Sequence, residues 1–254
     1  MKRTLAIIVL IFACKGFNEE EAKEDILTLI DTQDKEWFEI SPEMEDSTIM
    51  DTIRDSTGVI SRLWRKIEKD IRGDTITFIE DTAFVNVIDT LSGKLVFYKD
   101  TVRYEKALRE IVKRNAVYVR EDDGWKLIKI SPAEGVSDTL ISPFANILWV
   151  EIGRDTIIPR LTPPESIHTF HKGDKIEILL RTTLDTTEAI GFLYTDKREK
   201  FIPEGKEKDL WRLGWEVRGS SGMHRMVIYV INRNTLFGNW PYDANLWVIN
   251  YRIK

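Results

Sequence analysis

The chain reads as an α+β domain, with N-terminal helices packed on a curved antiparallel sheet, followed by an all-β sandwich. Three observations lead there. Apolar residues recur at helical spacing chiefly before Gly73, β-branched extended runs take over from Asp74, and a Ser/Pro/Gly-rich stretch after Ile130 separates two sets of strands. With 254 residues and 43% hydrophobic content the chain is long enough for two cores. The formal charge of -5 argues against nucleic acid as a partner, because phosphate binding needs clustered Lys and Arg. Most of the acidity lies in the first half, where Lys15 to Gly135 carries 27 acidic and 19 basic residues, against 15 and 16 from Val136 to Lys254.

At the N-terminus Lys2 and Arg3 precede an apolar run, Leu5 to Phe12, far short of the roughly 20 residues that a membrane-spanning helix needs. Cys14, the only cysteine, follows in Ile11-Phe12-Ala13-Cys14. This resembles a bacterial lipoprotein signal with its lipobox, Ala13 supplying the small residue before the cysteine and Ile11 standing in for the usual leucine. The resemblance implies that residues 1–13 are a signal peptide and that Cys14 is the lipidated first mature residue. Residues 14–17 are then a tether to the cell envelope, at the outer membrane or facing the periplasm where two membranes are present. Several acyl chains on one residue hold a protein at a membrane where a single chain does not. An exported chain with one cysteine has no internal disulfide and relies on its cores.

The segment Phe17 to Ile40 predicts a helix: Ile26, Leu29, Ile30 and Trp37 form a stripe, acidic residues crowd the first turns, and Ser41-Pro42 ends it. A second helix is expected around Ile49 to Ile71 from Val59, Ile60, Leu63, Trp64, Ile67 and Ile71, with Gly73 as its stop. Thr75 to Asp89 predicts a strand, Ser92-Gly93-Lys94 a turn, and Leu95 to Tyr98 the returning strand. Tyr104 to Lys113 fits a helix by spacing and a long bent strand by context, and the strand is preferred. Ala116 to Ser131 predicts a hairpin about Asp123-Gly124, with Trp125 as a core residue. Helices followed by long antiparallel strands and a closing GWKLIKIS resemble the nuclear transport factor 2-like superfamily, which implies that residues 18–135 form such a domain.

Ser131 to Thr139 reads as the linker. Beyond it the runs NILWVEI, KIEILLRT, AIGFLY, LWRLGWEV, RMVIYVI and NLWVINYRI predict six strands. Their spacing resembles an immunoglobulin-like or fibronectin-type sandwich over residues 136–254, without the inter-sheet disulfide.

Few residues suggest chemistry. All three histidines, His168, His171 and His224, lie in the second half, so the first lacks the His/Asp pair of dehydratase-like members of the superfamily it resembles. A ketosteroid-isomerase-like site would need a buried Asp base with Tyr or protonated-Asp donors, and nothing selects among Tyr98, Tyr104 and Tyr118. Glu165, His168 and His171 fall short of a metal site and read as polar loop residues. Gly219 to Gly222 reads as a hairpin turn, and the recurrent Asp-Thr pairs read as turn ends. Phe237, Trp240 and Tyr242 lie in an aromatic loop that is either a recognition tip or, the preferred reading, a lid over the sandwich core.

The expectation is therefore a lipid-anchored envelope protein without catalytic, metal or cofactor sites, acting by binding or assembly. Its partners are the membrane, through the anchor, and an envelope protein or small ligand. The alternative is a small-molecule-binding or isomerase/dehydratase-like first domain with the sandwich as accessory.

Overall fold

A computed structural model describes residues 18–40, 52–138 and 144–254, and Cys14 lies outside them. Helix α1 (Glu19–Asp31) is capped by Asn18, whose side-chain oxygen accepts from the Glu20 and Glu21 amides at 3.2 and 3.5 Å. It buries Ala22, Ile26 and Ile30, and the short α2 (Lys35–Phe38) buries Phe38. From Ile53 the first half is a meander: β1 (Ile53–Asp55), β2 (Gly58–Ile79), β3 (Thr82–Lys99), β4 (Val102–Glu121), β5 (Gly124–Ile130) and β6 (Ala133–Ser137).

The expected α+β class, with a nuclear transport factor 2-like domain, is corrected: the described residues are predominantly strand, and the second expected helix does not exist. Its residues from Ile53 to Ile71 belong to β1, β2 and the Ser56-Thr57 turn between them. Bulges of β2 against β3, at Ser61/Trp64 and Ile67/Lys69, explain the misleading spacing. The first lets Ile60, Leu63 and Arg65 all turn to the buried side, so a three-residue step of helical appearance arises inside a strand. The turn expected at Ser92-Gly93-Lys94 is also corrected. Strand β3 runs straight through Gly93, opposite the second bulge, and the reversals fall at Glu80-Asp81 and Asp100-Thr101. A Cβ on Gly93 would stand 2.0 Å from the Lys66 carbonyl oxygen, so glycine here marks a close backbone approach.

The second half adds β7 (Ile147–Ile152), β8 (Asp155–Ile157), β9 (Thr169–Phe170), β10 (Lys175–Thr182), β11 (Ala189–Tyr194), β12 (Arg198–Lys200), β13 (Ile202–Pro203), β14 (Leu210–Glu216), β15 (Gly222–Asn232), α3 (Arg233–Phe237) and β16 (Ala244–Ile253). A five-stranded sheet, β13-β14-β10-β7-β8, covers one face of a larger one in the order β1-β2-β3-β4-β6-β16-β15-β11-β12. Gly219 to Gly222 is not a hairpin turn, since it joins β14 in the small sheet to β15 in the large one.

The large sheet crosses the stretch read as a linker. Strand β6 pairs with β4 through Glu110 to Lys113 and with β16 through Asn245 to Val248. Gly135 is its tightest point, where a Cβ would meet Leu246 Cγ at 2.7 Å and Val112 Cγ2 at 3.0 Å.

Three apolar clusters follow. One lies between the two sheets of the second half. Another lies where α1 and α2 cover one end of β3, β4 and β5. In the third, residues of β2, β3 and β4 meet residues of β11, β15 and β16, so the large sheet is rolled upon itself. Arg198 of β12 donates to the Leu63 carbonyl of β2, tying the two far ends of the roll. Among the described residues no helix is long and apolar enough to cross a membrane.

Candidate binding site at the sheet junction

The joint between the halves is built on β16. Asp243 and Asn245, two residues apart and both buried, each bind a different set of partners around the joint. The Asp243 carboxylate accepts from the Asn232 side chain at 2.9 Å, the Ala145 amide at 3.1 Å and the Ser137 hydroxyl at 3.4 Å. Burial raises its pKa above the usual carboxylate value, and these donors oppose the rise. Asn245 accepts from the Ile147 amide and donates to the Gly135 carbonyl, each at 2.9 Å, so one amide links β6, β7 and β16.

Beside this joint the large sheet has a gap. Along one edge of β16, β6 ends opposite Val248 and the parallel β9 begins opposite Arg252. A pocket of about 580 Å³ opens there, with Ser131, Pro132, Ile249 and Asn250 on its walls. Its floor is held by paired backbone bonds of 2.9 and 3.0 Å between Ile130 and Thr162. The Ser131 hydroxyl, buried, accepts from the Asn115 amide at 3.0 Å and donates to the Pro132 carbonyl at 2.9 Å. The turn after β7 and the chain beyond β8 contribute Arg154 and Arg160. Among the described residues neither arginine has a carboxylate within salt-bridge distance. His168 closes one side, its ring stacked on Phe170 at 5.8 Å and its Nδ1 3.7 Å from Asp155 Oδ2. Burial lowers the His168 pKa and the Asp155 carboxylate opposes this.

The rolled part of the sheet holds a second polar group, sealed within the apolar cluster. Arg65 pairs with Glu110, Tyr242 donates to the same carboxylate, and the Tyr229 and Tyr242 hydroxyls meet at 3.0 Å. Burial pushes both tyrosine pKa values up. Arg65 also lies 5.8 Å from the Tyr229 ring centroid. Every member of this group engages another, which fits cross-linking of the roll.

Of the aromatic loop, Tyr242 is this buried hydrogen-bond donor, 1% exposed. Phe237 ends α3, packs on the interior of the roll and lies under the Arg233 guanidinium at 5.2 Å. Trp240 is half-buried, and its carbonyl accepts from the Lys106 side chain at 2.8 Å. The loop therefore lies over the roll, away from the junction pocket. His171 is exposed beside Asp174, and Tyr118 is buried beneath the helices. Among the described residues no group of three His, Cys, Asp or Glu side chains could hold a metal ion.

Sequence reasoning missed the pocket, since Ser131 and Asn250 are far in the chain from the segment that carries Arg154 and Arg160. The joint beside it left a signal in Asp243 and Asn245, polar residues two apart at the head of the mostly apolar β16, and neither of them lines the pocket. Comparison with protein-family profiles, with curated proteins and with solved structures finds no match to this chain.

Proposed function

We propose that the chain is a lipid-anchored, non-enzymatic binding protein of the cell envelope, tethered through Cys14, and that it takes a small ligand in the junction pocket. The observation that carries the binding reading is two arginines without ion-pair partners among the described residues, beside isoleucine walls, in a space within the roughly 300–1,000 Å³ range of small-ligand sites. The catalytic alternative asks for an accessible buried carboxylate in the first half. Glu110, the closest in kind, is 1% exposed and engaged by Arg65 and Tyr242. The anchor rests on the sequence of the N-terminus and on the sole thiol at its end.

Each part has its own test. Metabolic labelling with a fatty acid should mark the wild type and not Cys14→Ser, and an unlabelled wild type removes the anchor. Small-molecule extracts of the envelope should raise the melting temperature of the wild type and not of Ile158→Trp, which fills the pocket from an exposed position. An equal rise in both proteins removes the pocket.

A further inference from the structure

The gap in the large sheet has a hydrogen-bonding polarity of its own. Along a strand, the main-chain N–H and C=O of alternate residues point to the same edge. The Arg252 amide donates to the His168 carbonyl at 2.9 Å on the β9 side, so the Asn250 peptide groups point to that same edge. Val248 is paired with β6 and Arg252 with β9; Asn250 lies between them, opposite the pocket, paired with Arg225 of β15 on its other edge and with no strand partner on this one among the described residues. Its side chain repeats the deficit. The Asn250 Nδ2 donates to the Trp37 carbonyl at 3.1 Å, while the buried Oδ1 has no hydrogen-bond partner. The pocket thus offers a strand edge one residue long, two cationic side chains on its exposed side, and apolar surface from Ile157, Ile158 and Ile167. Asp155 is the one carboxylate on the wall, 76% exposed and facing His168.

A ligand that complements all of this carries an anion, an amide with both donor and acceptor, and an apolar side chain, all within one residue's length. That is an acylated amino acid with a free carboxylate, the chemistry of a peptide C-terminus. We infer that the junction pocket captures the C-terminal residue of a peptide. The carboxylate sits against Arg154 and Arg160, the last amide pairs with the Asn250 main chain as a one-residue strand between β6 and β9, and the side chain lies on Ile157 and Ile158. Strand addition supplies the main-chain bonds, and charge-assisted arginine contacts supply the choice of a free terminus. The inference rests on the binding role proposed for this pocket.

The test uses the full chain and a fluorophore-labelled Ala-Ala-Leu tripeptide with a free carboxylate, read by fluorescence anisotropy. Binding should weaken at least tenfold for the C-terminal carboxamide, for the peptide N-methylated at its last amide, and for Arg154→Gln and Arg160→Gln. Both arginines are exposed, so unchanged melting curves for the variants keep the comparison valid. Equal affinity for carboxylate and carboxamide overturns the inference, as does the absence of binding to any peptide of the series. Decanoate, an anion with an apolar chain and no amide, separates the two levels of the reading. If decanoate binds in an Arg154-dependent way and the peptides do not, the pocket remains a ligand site and the peptide assignment falls; if neither binds, both fall. The tripeptide fused to the C-terminus of a carrier protein distinguishes the sources: retained affinity identifies protein termini as ligands, and affinity for the free peptide alone identifies short peptides.

Discussion

The Tyr118 hydroxyl, at the buried end of β4, donates a 2.8 Å hydrogen bond to Oδ2 of Asp34 in the turn between α1 and α2. This bond fastens the helical cover to the sheet at a place where neither group is easily solvated. Burial raises the Asp34 pKa above 3.8 and the Tyr118 bond opposes the rise. A carboxyl that holds its proton more tightly in the native state stabilises the fold below its unfolded pKa, and that contribution is lost as pH rises through the folded value.

Asp34→Asn should therefore abolish part of the pH dependence of stability. Relative to the variant, the wild type should lose stability as pH rises from about 3.8, the ordinary value for Asp, to neutrality. Urea melts at pH 3.5, 5 and 7 would show it, and a difference independent of pH would refute the account. Tyr118→Phe should cost about 1–2 kcal/mol at pH 7, the scale of a hydrogen bond to a charged group that is not fully buried.

The two glycines at close approaches should respond unequally to alanine. Gly135→Ala meets side chains, Leu246 and Val112, which can shift by part of an ångström, at a cost of about 1–3 kcal/mol. Gly93→Ala meets the Lys66 carbonyl at 2.0 Å, and main chain must move, so the loss should be larger. Denaturant midpoints of the two variants order them; equal midpoints would count against the bulge as the reason for Gly93.

Two buried cations should behave in opposite ways. Arg114, 3% exposed and pushed down to about 9 by burial, donates to the Val248 carbonyl at 3.1 Å while its Nε and Nη1 have no hydrogen-bond partner. Arg114→Met should be neutral or stabilise by about 1–3 kcal/mol, since it removes polar atoms that lack partners. Glu110→Gln should destabilise by about 3–5 kcal/mol, because Arg65 is left buried without its counter-charge. Thermal unfolding of both variants gives the signs directly, and a destabilised Arg114→Met would show that its charge supports the neighbouring Asp89.

Trp125 is half-buried at the rim of the cluster under the helices, its ring 5.7 Å from Phe78. Trp125→Ala should cost about 1–2 kcal/mol, below the roughly 3–5 kcal/mol of a fully buried aromatic. A larger shift of the urea midpoint would place the ring deeper than its exposure indicates.

What the sequence determined by itself is local. The Asn18 cap and acidic first turn specify α1, the six apolar runs mark β7, β10, β11, β14, β15 and β16, and the charged turn before Trp125 specifies the β4–β5 hairpin. Only the tertiary structure decided which strands lie beside which, because pairing depends on residues distant in the chain. The stripe from Val59 to Ile71 reads as a helix until the bulges against β3 are seen. Gly135 reads as linker until Val112 and Leu246 close on it from two strands. Strand β5 holds the same lesson in miniature: its bulge at Val117/Tyr118 inserts Ile128, so Trp125, Leu127 and Ile130 all join the cluster beneath the helices, where strict alternation would send Ile130 to the opposite face. The junction pocket was the least legible feature. It is a gap between β6 and β9, and a gap has no residues of its own to leave a pattern.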